Sequence, residues 1–306
     1  MHEHLEGRCP ACDSGITRRE NAENKERPVV TWWCANPLCP KQAVAALTHF
    51  AQRRALDLEG LGESVAVKLV ESGLATSPLD LFSLKVENLA NLLLDPARLQ
   101  TGESSKPRRF GEKKAQLLVE SIRAAPTGQP LSRWVFAIGI PQIGESASRE
   151  LSRLHETLPE ISSSKLLRTI CRIANLEDER KEVSPQNRDN PPANQAEKEI
   201  RRKRHDELKT KIAEAQAGIA EFEISPDIGA VASRNLLSFF ESEHGRTFMQ
   251  RVQQLAINPR SDNFSPRPAE AAASGMMPLT GETFVITGTL SRPRSAYKDL
   301  IEQNGG

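Results

Sequence analysis

Four short segments of this 306-residue chain repeat one pattern, a glycine turn followed by a helix, and the clearest copy lies near the middle. It is LSRWVFAIGIPQIGESASRELSRLH, residues 131–155. Apolar residues at helical spacing from Leu131 to Ile138 predict a first helix with one buried face. Gly139 suits the end of that helix, and the proline two residues later disfavours its continuation. Gly144 then opens a second helix, so the segment predicts a helical hairpin.

The other three copies align with this one on their glycines, and the four aligned positions are Gly62, Gly111, Gly144 and Gly229. A small residue comes four positions after each glycine and a leucine three positions further on; these residues are Ala66, Ala115, Ser148 and Ser233, then Leu69, Leu118, Leu151 and Leu236. Each helix is thus predicted to have one close-packing position and one core anchor. The irregular intervals between copies favour one compact domain of paired hairpins over a solenoid. The alternative is that these turns merely link helices.

The start of each such helix is also a candidate anion site, because its first N–H groups have no partner within the helix. Cations cluster around the second copy, and cations beside free N–H donors suit phosphate. The residues predicted to contact phosphate are Gly60, Gly62, Arg108, Arg109, Gly111, Lys113, Lys114, Gly139, Gly144 and Gly229. The alternative for the cations is an ordinary solvated helix face. That interpretation is favoured for the basic run at residues 201–204.

Four of the five cysteines form two close pairs, Cys9 with Cys12 and Cys34 with Cys39. Two such knuckles bring four thiolates to one tetrahedral centre, which predicts a structural zinc site. Zinc binding supplies on the order of 10 kcal/mol, which so small a segment does not obtain from a core. Between the knuckles, residues 28–33, PVVTWW, predict a strand. Disulfides or free thiols are the alternative.

Three other residues carry side chains that can bind a metal, but the sequence does not place them in the metal site. His2 and His4 lie outside the paired spacing and are predicted to be solvated. Cys171 lies in an apolar helical stretch and is predicted to be a buried small hydrophobe.

Composition limits the class of protein. Aromatic residues make up 5% of the chain and strand-like runs are scarce before residue 283, so the predicted fold is mainly α. A formal net charge of +1 excludes a strongly basic nucleic-acid tail, but it allows DNA binding by backbone amides and a few placed cations. No apolar run approaches membrane-spanning length and no charged-then-apolar leader opens the chain. We therefore expect a soluble, cytoplasmic protein without a membrane partner.

The chain is predicted to divide into a zinc finger at 1–47, a hairpin domain at 48–258, a linker at 259–277 and the start of a further domain at 278–306. Residues 177–194 have few apolar side chains and three prolines, so we expect them to be disordered. They belong to an insertion near 177–220 whose charged helix carries a thin apolar stripe. Residues 281–289 predict a strand, and residues 295–303 predict a helix. One strand and one helix bury no core, so we expect the sequence to stop inside an α/β domain.

These motifs together resemble the C-terminal half of bacterial NAD-dependent DNA ligase. The resemblance rests on CPAC, CANPLCPKQ, HFAQRRALDLEGLGE, the central hairpin and PLTGETFVITGTL, in that order, and it covers nearly the whole chain except 177–220. It implies a zinc finger, a tandem helix-hairpin-helix domain and the opening of a BRCT domain. By carry-over, Cys9, Cys12, Cys34 and Cys39 are zinc ligands and the four glycine turns face DNA phosphates.

The resemblance also implies that the whole enzyme seals nicks in duplex DNA during replication and repair, in the bacterial cytoplasm at the nucleoid, using NAD and Mg²⁺. The family's catalysis depends on a lysine in a K-x-D-G motif, and no lysine here precedes x-Asp-Gly. We therefore expect this chain to be inactive alone and to bind nicked duplex beside upstream adenylation and OB domains. The alternatives are a stand-alone DNA-binding accessory module without catalysis, and a scaffold in which the finger docks a protein.

Overall fold

The computed structural model describes residues 7–21, 29–94, 108–187 and 190–265, together with 279, 282–287, 297, 300–301 and 304. Within these residues the chain is mainly helical, as the sequence predicts, with one two-stranded sheet near its start. It divides into two compact units. The first contains Met1–Ile140 and Glu243–Pro259, and the second contains Pro141–Ser242 and Arg260–Gly306.

The two strands of the small sheet are β1, Ile16–Asn21, and β2, Val29–Cys34. They pair antiparallel, with Ile16 opposite Cys34 and Asn21 opposite Val29. The predicted strand at 28–33 is therefore confirmed with a shift of one residue. Its partner β1 was not predicted, because ITRREN carries one apolar residue and no alternating pattern.

The helices follow in chain order, with short 3-10 turns at Pro78–Ser83 and Ala220–Phe222. They are α1 Pro40–Ala51, α2 Glu63–Glu71, α3 Val86–Ala90, α4 Glu112–Gly128, α5 Leu131–Ile138, α6 Glu145–Leu154, α7 Leu158–Ser162, α8 Lys165–Glu182, α9 Gln195–Ala217, α10 Ala230–Glu241 and α11 Glu243–Gln254. Helices α1–α5 and α11 belong to the first unit, and α6–α10 belong to the second.

The core of the first unit forms around Trp134, which is fully buried on α5. Its ring stacks on Phe82 at a centroid distance of 5.9 Å and meets the edge of Phe50 at 5.8 Å. Helix α1 packs against both α2 and α5, so Phe50 joins three elements. Leu131, Trp134 and Val135 are all buried, which confirms the predicted inward face of this helix.

An ion pair ties α11 to the 3-10 turn of the first unit. Asp80 accepts hydrogen bonds from the Thr76 and Ser77 N–H groups at 2.9 and 2.7 Å, and Arg251 Nη2 lies 2.7 Å from its Oδ1. Partial burial raises the pKa of Asp80, but the hydrogen bonds from Thr76, Arg251 and Ser77 outweigh it, so the pKa lies below its usual value. Charge on Asp80 therefore stabilises the folded state.

Replacing Asp80 with Ala is expected to lower the free energy of unfolding by about 2 kcal/mol at neutral pH. Because the folded-state pKa is depressed, this stabilisation is fully present above the ordinary carboxyl pKa of about 4 and is lost as the pH falls through the folded value. Urea unfolding from pH 7 to pH 3 measures the difference. Asp178→Ala is the control, because its pair with Lys181 is exposed. A wild-type advantage that persists unchanged at pH 3 contradicts this account.

The predicted disorder at residues 177–194 is wrong for most of that segment. Helix α8 continues to Glu182, turns follow at residues 183–187, and α9 begins at Gln195; residues 188–189 lie outside the described part of the chain. The charged side chains pair across the two packed helices, with Arg204 Nη2 2.6 Å from Glu179 Oε1. The first part of this segment is helical despite its low apolar content, because its charged side chains form pairs and its residues have high helix propensity.

The apolar stripe predicted on α9 is only partly buried. Leu208 and Ile212 are buried, whereas Ile200 is 68% exposed. In the basic run, Arg201 Nη2 lies 2.6 Å from Glu197 Oε1 and Arg204 pairs with Glu179, so two of its cations are engaged within the protein.

The predicted linker at 259–277 is corrected for its first residues. Ser261 Oγ donates to the Ser152 carbonyl at 2.7 Å, and the Ser265 N–H donates to the Arg153 carbonyl at 2.9 Å. Residues 260–265 therefore pack along α6. Ser261 and Ser265 donate hydrogen bonds to carbonyl groups of its last turn, which have no partner within the helix. Residues 266–277 lie outside the described part.

The last segment departs from its predicted strand. Residues 282–287 form no strand, which accords with a lone strand having no partner for its backbone groups, and residues 281 and 288–289 lie outside the described part. Residues 297, 300 and 301 are helical within the predicted helix at 295–303. His2, His4 and the cation Lys106 also lie outside the described residues.

Two remaining predictions concern the burial of Cys171 and the absence of a membrane-spanning segment. Cys171 is half-buried, not buried, and lines a groove of about 350 Å³ with Arg168, Arg172 and Leu237, because α10 covers only one side of α8 there. Among the described helices, none has both the length and the apolar content needed to cross a membrane.

Candidate metal centre and nucleic-acid interface

The structure gathers the four paired cysteines at one point. The sulfurs of Cys9, Cys12, Cys34 and Cys39 all lie within 4.8 Å of one another. Cys9 Sγ lies 3.9 Å from Cys39 Sγ, and Cys12 Sγ lies 3.4 Å from Cys34 Sγ. All four are free thiols, so the disulfide alternative finds no support.

Local backbone geometry fixes both knuckles. In the first, the Cys9 N–H donates to the Ser14 carbonyl at 2.8 Å, which closes the turn that carries Cys12. In the second, the Asn36 N–H donates to Cys34 Sγ at 3.4 Å. Cys39 occupies the N-cap position of α1, so the start of that helix fixes its backbone.

The thiols influence one another's ionisation. Hydrogen bonds from the side chain and the backbone N–H of Ser14 lower the pKa of Cys12 to about 6. The Asn36 N–H is the largest single influence on Cys34 and lowers its pKa, but desolvation and the three neighbouring thiols together raise it to about 12. One thiolate thus makes the next harder to form. A divalent cation would reduce this conflict, because it would coordinate all four sulfurs, displace their remaining protons and offset two of the four negative charges.

The donor set fits a tetrahedral metal. Four thiolates at about 2.3 Å from a common centre place their sulfurs about 3.8 Å apart, close to the two distances observed here. Two of the four cysteines are buried, Cys39 to 1% exposure, so no open position remains for a substrate. The cluster is therefore suited to holding structure and not to catalysis.

Each of the four aligned glycines stands at the N-cap of a helix, as predicted. Gly62 precedes α2, Gly111 precedes α4, Gly144 precedes α6 and Gly229 precedes α10. No side chain caps any of these four helices. Three of the glycines share one extended backbone conformation, whereas Gly111 has a φ of 89° that favours glycine. No N-cap side chain therefore occupies the start of any of these four helices, where backbone N–H groups have no acceptor within the helix itself.

The two positions predicted to pack behind each glycine are confirmed in all four copies. The small residues Ala66, Ala115, Ser148 and Ser233 are at most 1% exposed, and the leucines Leu69, Leu118, Leu151 and Leu236 are fully buried. The residue just before each glycine is also apolar and buried, and these residues are Leu61, Phe110, Ile143 and Ile228. Sequence reasoning missed this third position, although the aligned copies contain it. Each glycine is therefore held at the surface by apolar anchors on both sides.

The space available for a side chain differs between Gly139 and the four aligned glycines. A Cβ added at Gly62, Gly111 or Gly144 would meet nothing within 4 Å, and at Gly229 only a carbonyl at 3.9 Å. Gly139 is different, because its φ is 74° and an added Cβ would lie 3.2 Å from the ring of His49. The fold itself thus requires glycine at 139, but it does not require glycine at 62 or 144.

The predicted cations lie on the surface around the second turn. Arg108, Arg109, Lys113 and Lys114 are all exposed. Arg109 Nη1 donates to Asn91 Oδ1 at 2.8 Å, so its guanidinium is oriented by α3. The first residue of α2, α4 and α6 is a glutamate, which stabilises a helix N-terminus and repels a phosphate. Four exposed cations thus lie close in sequence to Gly111, together with Glu112 at the start of α4.

The fold and these sites define a mainly helical protein with a four-cysteine cluster that could bind a metal ion and four uncapped, glycine-led helices. No family model matches the chain. It is 38% identical over 317 residues to a DNA ligase of Akkermansia muciniphila, an alignment that covers 99% of this chain and 38% of that protein. It is 30% identical to a DNA ligase of Rubrobacter xylanophilus over 98% of this chain and 31% of that protein.

A DNA ligase of Pelotomaculum thermopropionicum is 27% identical over 99% of this chain. The chain is thus similar over nearly its whole length to proteins named DNA ligase, which confirms the resemblance drawn from its motifs. It spans about a third of the length of these relatives. NAD dependence and the assignment of individual domains stay predictions.

Proposed function

We propose that this chain is the DNA-binding part of an NAD-dependent DNA ligase, in which it holds a nicked duplex through four glycine turns. The observation that carries the proposal is the combination of uncapped helix N-termini with the exposed glycines Gly62 and Gly144, which nothing inside the protein requires. A glycine in open space is explained when another molecule's backbone approaches it closely. Phosphate oxygens are the acceptors that free N–H groups at a helix N-terminus suit best.

The similarity to proteins named DNA ligase supports duplex DNA as the partner. Contacts from backbone N–H groups fix a protein on the duplex without reading bases, which suits an enzyme that must act at any sequence. The near-neutral charge of the chain agrees with this mode, because few cations are needed beyond those at the Gly111 turn. We therefore assign the DNA-contacting role to Gly60, Gly62, Arg108, Arg109, Gly111, Lys113, Lys114, Gly144 and Gly229, and to the backbone of Gly139.

The metal in this proposal is zinc, held by Cys9, Cys12, Cys34 and Cys39. An all-sulfur tetrahedral set selects zinc among the common divalent ions. When bound, it supplies folding free energy to the knuckles and β1–β2, and it takes no part in chemistry. Adenylation by NAD with Mg²⁺ is assigned to other residues of the enzyme, because no lysine in this chain stands in a K-x-D-G motif.

Gly144→Val tests the role of the turns. The backbone at Gly144 is extended and suits valine, and nothing lies within 4 Å of the new Cβ, so we expect folding to be nearly unchanged. The methyl groups occupy the space where a phosphate would approach, and we expect the dissociation constant for a nicked duplex to rise about tenfold. Fluorescence anisotropy with a labelled duplex at low salt measures this change.

Gly128→Val is the matched control, because Gly128 is also exposed with nothing within 4 Å but does not lead a helix. We expect it to bind DNA like the wild type. If both variants bind with equal affinity while both remain folded, the glycine turn does not contact DNA and the proposal fails.

A further inference from the structure

Two of the glycine turns are connected to each other by side chains in the second unit. Glu150 lies six residues after Gly144, and Asn235 lies six residues after Gly229. The same position of two equivalent helices thus carries a polar side chain in both copies. The corresponding positions in the other two copies are Lys68, which pairs with Glu71 on its own helix, and the apolar Leu117.

Each of these side chains reaches the backbone just before the other glycine. Glu150 Oε1 accepts a hydrogen bond from the Ser225 N–H at 2.9 Å, four residues before Gly229. Asn235 Nδ2 donates to the Pro141 carbonyl at 2.9 Å, three residues before Gly144. The two contacts are reciprocal, because each helix holds the turn that leads into the other.

Arg153 strengthens the Glu150 side of this arrangement. Its Nε and Nη2 lie 2.8 Å from the two carboxylate oxygens of Glu150, which is a bidentate pair. The same guanidinium donates to the Phe222 and Ser265 carbonyls, both at 2.8 Å. The carboxylate is only 10% exposed, so the pair is well ordered and little screened by water. The segment leading to Gly229 is therefore fixed at several backbone atoms.

The Glu150 and Asn235 contacts affect the distance between the Gly144 turn and the Gly229 turn. Residues 222–229 contain turns and a short 3-10 segment, and Glu223 has a φ of 45°, so regular secondary structure does not hold them in place. Residues 139–144 likewise form a turn between helices. Without these contacts, the backbone before Gly144 would lose the Asn235 hydrogen bond, and the backbone before Gly229 would keep the Arg153 contacts at Phe222 and Glu223 but lose the Glu150 contact at Ser225. The distance between two sets of N–H donors would then vary.

We propose that Glu150 and Asn235 are positioning residues that set the Gly144 and Gly229 turns at the separation of two phosphates on one duplex. The inference rests on the proposed function, because it needs both turns to bind DNA. Neither residue touches the DNA in this arrangement; each acts through the backbone of the opposite turn.

Glu150→Ala gives the sharpest test, because charge and positioning predict opposite results. Removing a carboxylate favours binding to a polyanion by simple electrostatics. Loss of positioning weakens binding, and we expect the dissociation constant of the zinc-loaded chain for a nicked duplex to rise about tenfold. Asn235→Ala changes no charge and is expected to weaken binding similarly. Asn88→Ala, at an exposed position on α3, is the control and is expected to bind like the wild type. Circular dichroism at the assay temperature identifies folded variants.

Combining Asn235→Ala with Gly144→Val separates positioning from direct contact. If Asn235 acts by holding the Gly144 turn, then disabling that turn first leaves little for Asn235→Ala to remove, and the two effects are less than additive. Fully additive effects would overturn the inference, as would unchanged or tighter binding by folded Glu150→Ala and Asn235→Ala. If Gly144→Val alone leaves binding unchanged, the proposed function fails first. If only Gly144→Val weakens binding, the turns bind DNA and the positioning role alone is refuted.

Discussion

Removal of the metal with a strong chelator is expected to unfold residues 7–39 while the helices from α2 onward persist. Among residues 7–17 and 32–39, whose burial is described, Cys9 and Cys39 are the buried side chains, and a structural zinc site contributes on the order of 10 kcal/mol to such a segment. Without the metal, four neighbouring thiols compete for ionisation, as the opposite pKa shifts of Cys12 and Cys34 indicate. Native mass spectrometry is expected to count one zinc per chain, and hydrogen exchange is expected to rise in this segment alone.

The fifth cysteine provides the control for that experiment. Cys171 is half-buried on α8, outside the cluster, so Cys171→Ser is expected to keep the full zinc content. Cys39→Ser removes a buried ligand and is expected to lose the metal and the protection of the segment. A chain that carries no zinc, or whose hydrogen exchange is the same before and after chelation, contradicts the assignment.

Trp134→Ala is expected to have the largest effect on the stability of the first unit. The side chain is fully buried and contacts Phe50 and Phe82, so its loss leaves a cavity between three elements. Such truncations cost about 3–5 kcal/mol, a large part of the stability of a domain. Urea unfolding followed by circular dichroism measures the decrease in the free energy of unfolding.

Trp134→Phe distinguishes packing from hydrogen bonding at this position. Among the described residues, Trp134 Nε1 is buried without a hydrogen-bond partner, so phenylalanine leaves no donor or acceptor unpaired. We expect the cost to be about 1–2 kcal/mol, well below that of alanine. Equal costs for both variants would show that the aromatic contacts with Phe50 and Phe82 do not stabilise the fold.

The glycine turns and the cysteine cluster were predictable from sequence because both are local patterns. Spacing alone located four helix N-caps, four small buried positions and four leucine anchors, and the structure confirms each of them. The paired cysteines likewise identified the only cluster of potential metal-binding residues found in the described part of the chain. Such a pattern is detectable in the sequence because the same physical requirement recurs in every copy.

The features that were missed depend on contacts between distant residues. Helix α8 extends to Glu182, six residues into a segment predicted to be disordered, because Glu179 pairs with Arg204 on α9 and composition does not reveal that pair. Residues 260–265 pack along α6 through single hydroxyl and backbone hydrogen bonds. The Glu150 and Asn235 contacts were not predictable, because their partners are backbone atoms of distant residues that no sequence pattern identifies.

The binding of the zinc-loaded chain to a labelled nicked duplex tests the central claim most directly. Anisotropy titrations from about 50 to 200 mM salt are expected to show saturable binding that does not depend on base sequence. Affinity is expected to fall with salt, but by less than the about 10³-fold or more seen for proteins with many cation–phosphate contacts, because backbone N–H groups supply most of the donors. Absence of binding to nicked and intact duplex at the lowest salt would contradict the account.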